Sequence, residues 1–265
     1  MNDLGGRLGN GPRRLKDRDV RSMAVSALAI AVPIAFIVLA AGCTRFPVSD
    51  ENQLVGVSAI AVRDGHARPG RIHYCDFLEW RRRQSSFSGM AASATWFNRI
   101  GGGTAPRNDE TMITAVTINT FAVLRKQPLL GRTFIAGEDS PAAAPVAVIS
   151  DGLWERSRYA HDPRIVGQSI RLDGSACTVV GVMPPGLVFP FHEGLSPRKE
   201  QAGVPLRLDP TTARRGGGPA LEVVARLRDG VDLAQARAEM TAISRALAAE
   251  RPGVYGDFVA KVGRR

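Results

Sequence analysis

Few acidic side chains in the 265-residue sequence stand at spacings that catalysis requires. Asp76 and Glu79 are three residues apart and Asp151 and Glu155 are four apart, so each pair would share one face of a helix. Paired carboxylates can perform acid–base catalysis, but capping and solvated roles are far commoner. No nucleophile–base arrangement accompanies either pair, so we predict that the chain is not an enzyme. A hydrolase that uses Asp76 or Glu79 is the alternative.

Histidine and cysteine do not form a recognisable metal site. His73 and Cys75 would share a face of a strand but diverge at the start of a helix, and no His-Glu-x-x-His motif is present. The three cysteines, Cys43, Cys75 and Cys177, cannot form a fully paired framework, although a Cys75–Cys177 disulfide stays open. We therefore predict no catalytic, cofactor-binding or metal-binding residues, and no cofactor.

Nucleotide and nucleic-acid binding are also unsupported. The sequence has no Gly-x-x-x-x-Gly-Lys loop, and the glycines at 101–103 lack the strand-to-helix context of a dinucleotide site. The formal charge of +10 comes mostly from arginines that are scattered or gathered beside one apolar segment. Without a zinc-finger or RNA-binding motif, this charge does not indicate a nucleic-acid partner.

One apolar segment, residues 23–43 (MAVSALAIAVPIAFIVLAAGC), carries no charge. About 20 apolar residues suffice for a transmembrane helix. Residues 1–22 are basic near this segment, whereas Arg45 is the single close cation after it. The positive-inside rule then predicts a cytoplasmic N-terminus and a periplasmic chain beyond residue 43. We expect a single-pass protein of the bacterial inner membrane.

Two other interpretations of this segment stay open. A secretory signal would have a shorter apolar stretch and a cleavage site. The run Leu39-Ala40-Ala41-Gly42-Cys43 is similar to a lipoprotein box, although leucine stands one position too early. The second hypothesis is therefore a lipoprotein binding module, anchored by lipidation of Cys43.

The remaining chain, residues 44–265, shows an uneven mixture of strand and helix patterns that favours an α+β fold. Strands are predicted at residues 53–62, 110–118, 146–150, 169–172, 177–182 and 221–227. Helices are predicted at residues 74–94, after Asn119, after Ser150 or Asp151, and at residues 232–251 with Asp232 as the cap. Residues 63–71, 127–131, 191–203 and 214–219 are expected to be loops or irregular.

Four stretches carry a family resemblance. They are YCDFLEWRRRQSSFSGM (74–90), VTINTFAVLRKQPLLGRTF (116–134), the run 145–190 with VAVISDGLWERSR, DPRIVGQSIRLDG and CTVVGVMPPGLVFP, and 221–252 with EVVARLRDGVDLAQARAEM. In this order they resemble the MacB-like periplasmic core domain of FtsX-like ABC transporter permeases, most closely orphan permeases of the acidobacterial type. The resemblance covers most of residues 50–257.

This resemblance implies a two-lobed periplasmic domain. One lobe would comprise residues near 50–130 and 205–260, and the other, about 135–203, would be inserted between them without a continuous sheet across both. It also implies a mechanical role in efflux or mechanotransmission, in which a separate cytoplasmic ABC ATPase moves the membrane helices. The implied partners are the inner membrane, that ATPase and a full-length permease.

The sequence departs from the family pattern in one respect. Family members continue into further transmembrane helices, whereas no second apolar span follows here. We therefore expect a member truncated after the first periplasmic domain, a gene fragment or a single-span accessory that does not transport alone. Ala27, Ala31 and Ala35 recur every four residues in the span, a pattern that permits close helix pairing. Common use of alanine explains the pattern equally well.

Overall fold

The computed structural model describes residues 53–63, 66–99, 110–155, 159–187, 201–256 and 258–264. The predicted span at 23–43, including Cys43, and the glycines at 101–103 lie outside these ranges. Within the ranges, no helix combines the length and apolarity needed to cross a bilayer.

The described chain contains eleven β-strands and five α-helices. The strands are β1 (Leu54–Arg63), β2 (His66–Gly70), β3 (Phe87–Arg99), β4 (Glu110–Val116), β5 (Leu130–Gly131), β6 (Val146–Ile149), β7 (Ser169–Leu172), β8 (Ser175–Val182), β9 (Gln201–Pro205), β10 (Glu222–Leu227) and β11 (Phe258–Arg264). The helices are α1 (Tyr74–Arg83), α2 (Thr120–Leu124), α3 (Asp151–Trp154), α4 (Leu233–Glu250) and α5 (Pro252–Tyr255). This mixed composition confirms the α+β class.

The described strands form one hydrogen-bonded sheet in the order β11-β1-β10-β3-β4-β9-β6-β8-β5, with β2 also on β1 and β7 also on β8. The pairs β4–β9 and β6–β8 are parallel, and the others are antiparallel. Our expectation that no sheet would cross both lobes is wrong. The reason is β9, which pairs with β4 on one side and with β6 on the other.

The hydrophobic core is divided between the faces and ends of this sheet. On one face, α1 and α4 cover β1, β3, β10 and β11 through Phe77, Trp80, Met240 and Leu247. On the other face, α2 contributes Phe121 and Leu124. A third cluster is centred on the predicted inserted segment, where it contains Leu153 of α3 and the strands around it, and it also includes Ile113 of β4. The predicted inserted segment therefore shares both the sheet and part of the core with the rest of the domain, since Val146, Val148 and Val180 pack with α2.

Local sequence signals predicted several elements well. Asp232 caps α4 by accepting the Gln235 N–H at 2.8 Å, and Gln235 in turn accepts the Asp232 N–H. Ser150 caps α3 by accepting the Leu153 N–H at 3.1 Å. Asp173 and Gly174 both have positive φ in the tight turn between β7 and β8, as the predicted hairpin requires.

Other element predictions are wrong. The predicted helix at 74–94 ends at Arg83, and the chain enters β3 at Phe87, since Phe87 and Met90 belong to a strand between β10 and β4. Strand β2 occupies a stretch that we expected to be a loop, and β9 begins in one that we expected to be irregular. Strand β11 follows the helix with which our predictions ended. Strands β9 and β11 pair with strands that are remote in sequence, whereas β2 pairs antiparallel with β1, the strand directly before it.

Candidate functional site: a basic cleft above a buried ion pair

The two carboxylates of α1 are both occupied by structural contacts. Asp76 has no exposed surface, accepts the backbone N–H of His73 at 2.9 Å and lies 3.0 Å from the Arg215 guanidinium. Glu79 accepts hydrogen bonds from Arg82, Arg83 and Arg251 at 2.7–3.0 Å. The structure therefore places both residues on α1 as predicted, but gives each an arginine partner instead of an open catalytic position.

The acidity of Glu79 follows from those partners. Burial opposes its ionisation, but the hydrogen bonds from Arg82, Arg251 and Arg83 outweigh burial and lower the pKa of Glu79 to about 2. A carboxyl group with this pKa stays ionised near neutral pH. It is therefore a poor general acid and a weak general base there.

Cys75 is a free thiol beside the ion pair, and its sulfur lies 3.8 Å from an Asp76 oxygen. Burial and then the negative charge of Asp76 raise the pKa of the Cys75 thiol. The protonated thiol is a poor nucleophile and a poor metal ligand. Cys177 is also free, so the Cys75–Cys177 disulfide that the sequence left open is not formed.

The other predicted pair, Asp151 and Glu155, does not form a site. Asp151 begins α3, where its Oδ1 lies 3.7 Å from Nε2 of His161, and Glu155 is exposed at the helix end. Within the part of the chain that the structure describes, no group of three His, Cys, Asp or Glu side chains could hold a metal ion.

A cleft of about 560 Å³ opens beside the N-terminus of α1. Its walls come from β1 and β2, from α5 with the start of β11, and from the loop before β10. The lining residues are Ala61, Arg68, Pro69, Gly70, Arg71, His73, Arg215, Gly216, Gly253, Val254 and Phe258. Among the residues that the structure describes, the lining includes three arginines and no carboxylate.

Arg215 joins the cleft to the buried cluster beneath it. Its guanidinium lies 3.8 Å from the centre of the Phe258 ring and 5.0 Å from that of Tyr255, a cation–π arrangement. Tyr255 is 1% exposed, and burial followed by the Asp76 charge raises the pKa of its phenol. Arg215 is thus held on one side by a carboxylate and on another by two aromatic rings.

A second set of ion pairs joins α1 to the C-terminus of α4. Both terminal nitrogens of Arg83 donate to the Glu250 carboxylate at 2.6 Å, while its Nε donates to Glu79. Arg251 donates to the other oxygen of Glu79 at 2.7 Å. Because these contacts form a network with a bidentate pair, they fix α1 against α4 better than isolated surface pairs would.

Sequence reasoning missed the residues that complete this cluster. Arg215 lies in a stretch that was predicted only as a loop, and Tyr255 and Phe258 follow the last predicted helix. A local signal was available for none of the three, since their contacts to α1 depend on tertiary structure. Cys43, the one predicted modification site, lies outside the described residues.

Fold and site together define a mixed-sheet α+β domain in which both carboxylates of α1 pair with arginines. Residues 22–243 match the model of the MacB-like periplasmic core domain. The match covers most of the chain, so the chain belongs to this family, as its sequence motifs predicted.

Solved structures share the fold. The extracellular domain of the noncanonic ABC-type transporter YknZ from Gram-positive bacteria has a TM-score of 0.55 and 15% identity, with 78% of this chain and 98% of that chain covered. The periplasmic region of MacB from Actinobacillus actinomycetemcomitans has a TM-score of 0.52 and 13% identity, covering 77% and 87%. Such low identities show the fold alone. No curated protein matches the chain.

Proposed function

We propose that this chain is the extracytoplasmic component of a MacB/FtsX-like ABC transporter permease. In this role it transmits ATP-driven motion from the membrane to a substrate or partner in the periplasm, in efflux or mechanotransmission. The family match over residues 22–243 carries the proposal. The shared fold with extracytoplasmic domains of two ABC transporters supports it.

The packing of the domain suits mechanical transmission. A body that transmits displacement should deform little, and continuous hydrogen bonding with close-packed faces provides this resistance. Here the sheet extends from β11 to β5, and the β4–β9 pair connects the inserted segment to the rest. The ion pairs between α1 and α4 brace the covered face at the other end.

A non-catalytic role is part of the proposal. Asp76 and Glu79 are engaged by arginines, and the Cys75 thiol has a raised pKa. The proposal therefore predicts that the wild-type chain has no hydrolytic activity that depends on Asp76, so Asp76→Ala should remove none. A reproducible hydrolysis by the wild-type chain that disappears in Asp76→Ala would instead establish an enzyme.

The proposed partners are a full-length permease and a separate cytoplasmic ABC ATPase, reached through a transmembrane helix at residues 23–43. The test is affinity purification of the tagged chain at native expression, with co-purified proteins identified by mass spectrometry. Recovery of a MacB-type permease or ATPase is expected. Recovery of the tagged chain alone contradicts the complex and indicates a non-transporting fragment.

A matched pair of variants tests the pairing face of that helix. Ala31→Leu enlarges a residue of the 27-31-35 pattern, whereas Ala29→Leu makes the same change on another face. We expect Ala31→Leu, and not Ala29→Leu, to reduce recovery of the partner. Equal recovery with both variants would remove this face from the proposal.

The second candidate is a lipoprotein binding module that shares the fold. It rests on the sequence around Cys43. Mass spectrometry of the mature protein separates the two candidates. A chain that begins near Met1 supports the transmembrane anchor, with a cytoplasmic N-terminus and a periplasmic domain, whereas a diacylated Cys43 at the N-terminus supports the lipoprotein.

A further inference from the structure

The basic cleft has positive charge that the described residues leave uncompensated. Arg68 and Arg71 are exposed on and just after β2, and both line the cleft. Within the described ranges, neither forms an ion pair with a carboxylate. By contrast, Arg83, Arg215 and Arg251 all have carboxylate partners.

The fixed parts of the cleft are arranged beneath these two arginines. Asp76 and the Phe258 ring hold the Arg215 guanidinium, so this cation keeps its position without a ligand. The backbone N–H of Gly216 lies 3.4 Å from Nε2 of His73, which connects the loop to the start of α1. This floor of the cleft is therefore in place before any ligand arrives, which reduces the entropy lost on binding.

The cleft also has an apolar wall. Val254 of α5 lines it and is 44% exposed, so it offers apolar surface to a ligand. Ala61 of β1 lines it as well. An apolar wall beside several cations, with no carboxylate among the described lining residues, is complementary to an anion that has an apolar part.

We propose that this cleft binds a small organic anion. Its phosphate or carboxylate group contacts Arg68 and Arg71, and its apolar part packs against Val254. Arginine is suited to this contact because its planar guanidinium can donate two parallel hydrogen bonds to either group. The volume of about 560 Å³ lies within the range of about 300–1,000 Å³ for small-molecule sites. The inference does not depend on the proposed transport role.

Isothermal titration calorimetry on the full chain in a non-ionic detergent tests the proposal, with butyl phosphate as the probe. Inorganic phosphate supplies the charge without the apolar part, and n-butanol supplies the apolar part without the charge. We expect saturable binding of one butyl phosphate per chain that is tighter than binding of either control. Added salt should weaken it, because screening reduces the attraction of partly exposed charges.

Two double variants with the same charge change locate the site. Arg68→Ala with Arg71→Ala removes the proposed contacts, and we expect at least a roughly tenfold loss of affinity. Arg164→Ala with Arg245→Ala removes two exposed arginines that do not line the cleft, and the affinity should change less than about twofold. Thermal unfolding verifies that both variants are folded.

Three results would overturn the proposal. They are absence of saturable butyl phosphate binding, equal losses in the two double variants, and equal affinity for butyl phosphate and n-butanol. Equal affinity for butyl phosphate and inorganic phosphate would overturn the role of the apolar wall.

Discussion

Asp76 lies in a helix that the sequence predicted, but its partner Arg215 comes from a loop far along the chain. A buried carboxylate needs a partner because water no longer stabilises its charge. The pair therefore acts as a link between α1 and the loop before β10. Its stability contribution can be measured directly, because breaking one member leaves the other without compensation.

We predict that Asp76→Asn lowers the free energy of unfolding by about 3 kcal/mol, since a neutral amide cannot balance the Arg215 charge. Glu155→Gln makes the equivalent change at an exposed residue and should change stability by less than about 0.5 kcal/mol. Urea unfolding of both variants provides the measurement. Equal midpoints for the two variants would show that the Asp76–Arg215 contact contributes little.

The lowered pKa of Glu79 predicts the direction in which the stability of the fold changes with pH. Its pKa is about 2 in the folded chain, below its ordinary value of 4.5, so its ionised form stabilises the fold. This contribution is fully present above pH 4.5 and is lost as the pH falls through 2. We predict that the stability difference between wild type and Glu79→Gln shrinks progressively from about pH 5 to about pH 2. A difference that stays constant across this range would contradict the assigned role of the arginines.

Residue types alone could not predict this cluster. The spacing of Asp76 and Glu79 placed them correctly on one helix face, because helical spacing is a local property. The identity of their partners is not local, since Arg215 and Arg251 reach α1 only after the sheet and α4 have formed. Sequence patterns therefore predicted the positions of the two carboxylates and not their function.

At the scale of elements, the β5–β8 contact depends on glycine. A Cβ on Gly131 would lie 2.2 Å from the Val180 carbonyl oxygen, and one on Gly181 would lie 2.2 Å from that of Arg132. Gly131 also has a φ of +70°, which side-chain-bearing residues rarely adopt. The edge strand can approach β8 this closely only without side chains at these positions.

A pair of glycine substitutions separates the effect of positive φ from the effect of the close approach between strands. Gly137 has a φ of +90° but no atom within 4 Å of the position that an added Cβ would take, so Gly137→Ala should cost only backbone strain of about 1 kcal/mol. Gly131→Ala adds the collision with Val180 and should cost roughly 2 kcal/mol more. Thermal unfolding of both variants gives the comparison. Similar losses at the two positions would mean that the close approach is unimportant.

Elements with strong local signals were predicted well, and elements that depend on remote pairing were not. The capping box of Asp232 and Gln235 defines the start of α4 from neighbouring residues. By contrast, β9 is short and contains Gly203 and Pro205, and it becomes a strand through β4 and β6. The helix predicted at 74–94 was extended too far because the three-residue separation of Phe87 and Met90 also fits a helix.

At the scale of the whole molecule, the shared sheet predicts cooperative unfolding. Leu153 is fully buried in the core of the inserted segment, and Leu153→Ala should cost about 2–5 kcal/mol. If the sheet unfolds as one unit, amide exchange should also accelerate in β1 and β10, at the other end. Hydrogen exchange with mass spectrometry measures this effect. The exposed Leu129 provides the control variant Leu129→Ala.

The exchange pattern of Leu153→Ala shows whether the domain unfolds as one cooperative unit or as two. Faster exchange confined to β6, β7, β8 and β9 would show that the inserted segment opens independently. That result would weaken the mechanical proposal, because a segment that opens alone cannot pass displacement along the sheet.

The joint between β4 and β9 also limits how such a domain can evolve. The Leu206 N–H donates to the Val116 carbonyl at 2.8 Å, so the chain leaves and re-enters the main sheet at adjacent points. Adjacent entry and exit points favour exchange of the intervening cassette between relatives. Deletion is a different matter, because loss of β9 would leave one side of β4 unpaired and prone to aggregation. Recombination should therefore replace this cassette with another that supplies a strand at the same place.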